Sequence, residues 1–270
     1  MQTKMPNLFR RSLTINLISS VLLNGKSIGG KSFSIFDALL HKGKPNLQRI
    51  GLRSIRGVEN IWRKGRSTME VDEIGVKESL KWISNDNSNY FFDIERWLVL
   101  DTTPEMRKES IAKLMRVAEI ARNYSPNAKF GFYGIPPAST YWRTQDAGGG
   151  QYTEWLDVNR ELLALASMVD FILPSLYTFY DDPIGWRRYA VATIREARLY
   201  SKPVYPFLWF EYHDSNKLLA GKEITESSWH EELSFCHECC DGIVLWGGFN
   251  RGWTERAKWW QAVRSEFDLR

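Results

Sequence analysis

Tyr90-Phe91-Phe92-Asp93-Ile94-Glu95 reads as a β-strand that ends in two acids, and Thr103-Pro104-Glu105 just beyond it opens a helix. In that helix Ile111, Leu114, Met115, Ala118 and Ala121 recur at helical spacing. The alternation continues to the end of the chain. Strand-like runs at 129–133, Phe171-Ile172-Leu173-Pro174-Ser175-Leu176-Tyr177, Val204-Tyr205-Pro206-Phe207-Leu208-Trp209 and Gly242-Ile243-Val244-Leu245-Trp246 are separated by helical patterns at 153–167, 184–199 and 227–238. A last helix is expected over 253–266. Strands and helices taking turns over short connections are how a parallel sheet covered by helices is written. A closed βα barrel of eight strands needs about 250 residues, and the chain has 270. The expected fold class is therefore α/β, a TIM-like (β/α) barrel, distorted, with seven or eight strands and a single domain across 1–270.

Upstream of this region the pattern is weaker. Residues 49–54 read as one more strand and 71–83 as a helix with Val71, Ile74, Leu80 and Ile83 on one side. Residues 13–23 are apolar but interrupted by Asn16, Ser19 and Ser20, and Arg10 and Arg11 precede them. Residues 1–30 thus read as a weak signal peptide or a poorly ordered N-terminal segment, which leaves secreted and cytoplasmic locations both open. The run is too short and too polar for a transmembrane segment.

Composition narrows the function classes. Thirty-six Lys and Arg against 32 Asp and Glu give a net charge of +4, too mild an excess for a nucleic-acid partner. Cys236, Cys239 and Cys240 lie too close together to close a long loop by pairing. Their C-x-x-C-C spacing beside His230 and His237 raises a zinc reading, but no second ligand pair exists elsewhere in the chain. Thiols on a helix packed under a sheet are the preferred reading, with neither metal nor cofactor. Aromatic side chains make 14% of the chain, with 12 Trp. Hiding that many indoles in one core leaves many N–H groups to satisfy, so some are expected in a groove, where flat faces suit sugar rings.

In a parallel αβ barrel the active site lies at the C-terminal ends of the strands. Asp93 and Glu95 stand there, and their i, i+2 spacing puts both carboxylates on one face, roughly 6–7 Å apart along the backbone. Charges at such a place must be paired or have their pKa shifted. Paired carboxylates are the working parts of glycosidases; an ion pair with Arg96 or a divalent-metal site are the other readings of the same two acids. The rim repeats the character: Tyr133, Tyr177, Trp209, Glu211, Tyr212 and Trp246 all end strands. The loop 134–151, with two prolines and Gly148-Gly149-Gly150, is long enough to be a substrate-side loop.

Five ordered motifs, Phe92-Asp93-Ile94-Glu95-Arg96-Trp97, Gly131-Phe132-Tyr133-Gly134-Ile135-Pro136, Pro174-Ser175-Leu176-Tyr177, Pro203-Val204-Tyr205-Pro206 and Asp241-Gly242-Ile243-Val244-Leu245-Trp246-Gly247, together resemble the hyaluronidase family of glycoside hydrolases over about residues 90–250. The resemblance implies a distorted βα barrel that cleaves a β-linked N-acetylhexosaminide with retention, the substrate's own acetamido oxygen acting as nucleophile. It implies Glu95 as general acid and then base, Asp93 as the group that orients and stabilises the acetamide, Tyr177 as its support, and Trp246 as part of the wall of the sugar subsite. Tyr133 and Tyr141 are the candidates for a further tyrosine of that family, Tyr141 lying closer to the expected place. Trp209, Glu211 and Arg96 complete the expected substrate-binding set.

The chain departs from the animal enzymes in lacking the cysteine that follows the segment matched by Ile135-Pro136-Pro137. The expected partner is a polysaccharide containing N-acetylhexosamine, taken by a monomer. A chitinase-like or peptidoglycan-cleaving hydrolase on the same fold is the first alternative, and a catalytically silent carbohydrate-binding barrel the second. Should the polymer carry carboxylates, its groove should present cations; Arg96, Arg143, Arg187, Arg188 and Arg251 are the candidates.

Overall fold

The computed structural model describes residues 33–83, 89–249 and 251–270; the expectation for residues 1–30 lies outside them. Phe33–Arg270 make one compact unit. Among the described residues seven strands are formed: β1 Ser34–Leu39, β2 Arg53–Ser54, β3 Arg56–Val58, β4 Asn89–Phe92, β5 Lys129–Phe132, β6 Phe207–Trp209 and β7 Gly242–Gly247. The helices are α1 Glu73–Leu80, α2 Pro104–Tyr124, α3 Gly150–Glu161, α4 Leu163–Met168, α5 Pro183–Leu199, α6 Glu226–Cys239 and α7 Lys258–Glu266. The class is mixed α/β with parallel strands.

Two parallel sheets result, one in the order β2-β1-β7-β6 and one in the order β3-β4-β5. Single parallel bridges join them. Tyr133, just past β5, bridges to Leu173, and Ser175 bridges to Phe207 in β6. On the other side β2 and β3 are one stretch interrupted at Ile55, so residues 53–58 pair with β1 and then with β4. Each strand-like stretch thereby has a parallel partner on both sides.

The stretch 171–177, expected as a full strand, contributes only these bridges and one more from Ile172 to Val204. Pro174 has no N–H to give to a ladder, and Pro206 similarly shortens the expected strand 204–209 to its last three residues. The expected strand over 49–54 is also corrected. Asn46 caps a 3-10 turn over Leu47–Ile50 through its side chain, and Gly51 at φ 95° ends it, leaving only Arg53–Ser54 extended. The strand Ser34–Leu39 had no counterpart in the sequence reading. It is long, pairing with all six residues of β7 from Ser34↔Gly242 to Leu39↔Gly247. A Cβ at Gly242 would come 2.0 Å from Ser34 O, so only glycine permits the approach.

Helix starts follow the side chains that cap them. Thr103 accepts from Met106 N ahead of Pro104, Asp182 from Gly185 N ahead of Pro183, and Thr225 from Ser228 N. The buried face of α2 carries Ile111, Leu114, Val117, Ala118 and Ala121, as the spacing requires. Phe36 and Phe207 on the inner side of the strands, and Phe92, Phe130 and Phe132 on the side where Arg122 of α2 covers Phe130, are essentially without exposure. Among the described residues no helix is long and apolar enough to cross a membrane.

The tryptophans divide between the core and a cleft. Trp97, Trp155, Trp186 and Trp229 are buried, and their indole N–H groups donate to the backbone carbonyls of Thr68, Ala138, Leu176 and Trp259. Backbone acceptors satisfy these four indoles, while Trp209 and Trp246 line a cleft. Cys236 is buried while Cys239 and Cys240 are half-buried, all free. No group of three metal-capable side chains exists among the described residues; His230 is exposed and His237 lies 2.9 Å from Glu266.

Candidate active site

Strand β4 stops at Phe92, so Asp93 and Glu95 stand just beyond its C-terminal end and not within a buried strand. Ile94 between them is 5% exposed while both acids are open to solvent. Backbone alternation thus sends Ile94 into the core and both carboxylates to the same side. They line a cleft of about 190 Å³ with Phe91, Tyr133, Tyr177, Phe207, Trp209, His213, Asp214, Trp246 and Phe249. The ends of β4, β5, β6 and β7, the end of the stretch 171–177 and the loops after β6 and β7 meet there.

Water reaches Asp93, but protein surrounds it on the concave floor. Withdrawal from bulk solvent, and secondarily the charge of Glu95, push its carboxyl up to about 6. Tyr177 is buried, and burial raises its hydroxyl well above the ordinary value, with the negative charges of Asp93 and Glu95 adding to the effect. It is therefore a neutral hydrogen-bond donor at any working pH. Tyr133 is raised too, chiefly by burial. Its hydroxyl donates to Ser175 Oγ at 3.2 Å, and its ring lies 5.6 Å from that of Tyr177.

Trp246 forms one wall edge-on to Phe91 at 6.3 Å and to Phe249 at 5.2 Å. Gly247 next to it has φ 121°, and a Cβ there would come 2.6 Å from Trp209 Nε1. The backbone must be glycine for both indoles to stand at the cleft. His213 stacks on Tyr177 at 5.7 Å, and its backbone N–H donates to Thr178 O. Burial lowers the pKa of His213, against the opposing pull of Asp214 and Glu95, which favours the neutral ring.

The structure thus brings together Asp93, Glu95, Tyr177, Tyr133, Trp209 and Trp246. It does not bring Tyr141, Glu211 or Arg96 to the cleft lining. Tyr141 is buried among Trp142, Phe179, Tyr180 and Tyr189 and donates to Asp182 Oδ2 at 3.1 Å. Glu211 turns away, 4% exposed, against Arg251 Nε at 2.8 Å. Arg96 is solvent-exposed. The loop 134–151 does not line the cleft either. It packs on α3, where Asn159 Oδ1 accepts from Ala138 N at 3.0 Å. The cleft residues absent from the sequence reading are His213, Asp214 and Phe249, each two to five residues past a strand end. The rule that loops after parallel strands build the site pointed to their place, although nothing in their identity did.

Parallel strands covered by helices, with acids and aromatics beyond their C-terminal ends, are a fold that solved structures share. No protein-family model matches the chain, and no curated protein matches it in sequence. Among solved structures, bee venom hyaluronidase is similar over 88% of this chain and 97% of its own, with a TM-score of 0.62 at 14% identity. The same bee enzyme in complex with a hyaluronic acid tetramer is similar over 87% of this chain and 94% of its own, with a TM-score of 0.61 at 12% identity. The chain has the hyaluronidase fold, as a distant structural relative.

Proposed function

We propose that this protein is a retaining endo-glycoside hydrolase that cleaves a β-linked N-acetylhexosaminide polysaccharide by substrate assistance, on a single monomeric domain. The observation that carries the reading is the meeting of Asp93, Glu95, Tyr177 and Trp246 around one cleft in a hyaluronidase fold. The bee enzyme's hyaluronic acid complex supports a polysaccharide as the ligand class.

Glu95, as the carboxylic acid, gives its proton to the glycosidic oxygen as the C1–O bond breaks. The acetamido oxygen of the same sugar forms a bond to C1 in its place, and an oxazolinium ion results. Asp93, ionised, accepts the acetamide N–H and offsets the positive charge that develops there; Tyr177 donates to the attacking group and fixes its angle. Trp246 and its aromatic neighbours hold the ring by its C–H faces. Glu95, now a carboxylate, takes a proton from water, whose oxygen opens the oxazolinium at C1 and restores the original configuration. One strand end can carry both acids because no protein carboxylate has to reach C1.

The test is stereochemical. NMR of the first product should show the retained anomer, a thiazoline mimic of the cyclised intermediate should inhibit more tightly than the free sugar, and substrates with the acetamide replaced by hydroxyl should not turn over. Inversion, or a glycosyl ester trapped on Asp93 or Glu95, would refute the mechanism. Chelator treatment should leave turnover unchanged; loss restored by added divalent metal would instead assign the two carboxylates to a metal.

A further inference from the structure

We infer that the cleft takes a neutral amino-sugar chain, with no carboxylate on the sugars flanking the scissile bond. The inference rests on the hydrolase reading for its sugar chemistry and adds the charge of the substrate. Three carboxylates, Asp93, Glu95 and Asp214, line the cleft, and among the described residues no lysine or arginine does. The one titratable base there, His213, is held toward its neutral form by burial. Even with one acid protonated for proton transfer, two negative charges face the ligand. The remaining recognition surface is aromatic, with the faces and edges of Trp209, Trp246 and Phe249, and it suits uncharged rings.

Three of the five arginines that could have served an anionic polymer are engaged elsewhere, and the other two lie outside the cleft lining. Arg143 is buried between Asp101 and Glu154, at 2.6 Å from each. Arg251 pairs with Glu211 at 2.8 Å and donates to Gly221 O. Arg187 lies over the Phe235 ring at 4.5 Å. Lys44, near the end of β1, pairs with Asp37 at 2.5 Å. Arg96 and Arg188 are exposed and outside the cleft lining. A uronate next to the reacting sugar would add a negative charge to an already negative concavity, where screening by water is reduced.

Calorimetric titration separates the two ligand classes without depending on turnover. Wild type and Glu95→Gln are titrated with the neutral β-linked N-acetylglucosamine tetramer and with hyaluronan tetrasaccharide, at about 0.01 M and about 0.15 M salt. The neutral tetramer should bind at least about tenfold more tightly at low salt, with little salt dependence, while any hyaluronan binding should strengthen as salt screens the repulsion. Asp214→Asn should narrow the gap severalfold. Hyaluronan binding as tight as the neutral tetramer, hyaluronan binding that weakens with salt, or no binding of the neutral tetramer overturns the inference. Turnover by the wild type tells the two readings apart. Neutral oligomer bound but never cleaved sinks the hydrolase and leaves the charge inference standing, whereas preferred cleavage of hyaluronan with retention does the reverse.

Discussion

Arg251 Nε lies 2.8 Å from Glu211 Oε1, and Glu211 is 4% exposed. The pair explains why neither residue reaches the cleft. Burial raises the pKa of Glu211 and the Arg251 charge opposes that rise. Arg251→Ala leaves a buried carboxyl without its cation and should cost about 1–3 kcal/mol. With the raised pKa freed from opposition, the folded state holds its proton more tightly than the unfolded one. Stability of the variant should then fall further as pH rises above about 4.5. Denaturant unfolding at pH 4 and pH 8 checks this, and equal losses at both would contradict it.

The raised carboxyl of Asp93 makes the opposite promise for Asp93→Asn. In the wild type the folded state binds a proton up to about pH 6, while the unfolded chain releases it near 4. Stability is therefore full below that unfolded value and is lost as pH rises through about 6. The amide removes the penalty, so the variant should melt higher than wild type at pH 7 and alike at pH 3.5. A lower melting temperature at pH 7 would mean that Asp93 contributes to folding instead of opposing it.

Activity should pay for that gain. Glu95→Gln should keep its circular dichroism spectrum and lose about 10²–10⁴-fold in kcat, and Asp93→Asn nearly as much. The wild-type kcat/KM profile should carry an acid limb near pH 6 as Asp93 ionises, read as a property of the two-acid pair. Residual activity of Asp93→Asn should lack that limb. An unchanged limb would assign it to another group.

Tyr177→Phe removes a donor while leaving the ring stacked between Tyr133 and His213. It should lower kcat by about tenfold to a hundredfold with a small change in KM. A pure KM effect would make Tyr177 a binding group and not a support for the attacking acetamide.

Gly247→Ala places a methyl within 2.6 Å of the Trp209 indole at a φ of 121°. The expected loss is about 1–3 kcal/mol from strain, with a raised KM as Trp246 shifts. Steady-state kinetics and thermal melting of the same sample test both parts.

Much of this protein was decided by local sequence. The helices opened by Thr103-Pro104, Asp182-Pro183 and Thr225 begin where their capping side chains say, because an N-cap is a contact within four residues. Strand β4 and its two trailing acids were legible for the same reason: alternation over a few residues fixes which side chains share a side. The strand Ser34–Leu39 was not, since its identity lies in pairing with β7, some two hundred positions on. Tertiary structure alone decided which rim residues converge. Tyr141 and Tyr133 both follow the same strand, yet one hydroxyl goes to Asp182 under the loop and the other to Ser175 at the cleft. His213 and Asp214 entered, and Glu211 left with Arg251, because the chain after β6 turns a buried carboxylate toward a cation supplied from beyond β7. A charge's partner is set by three-dimensional proximity and desolvation, which no spacing along the chain encodes.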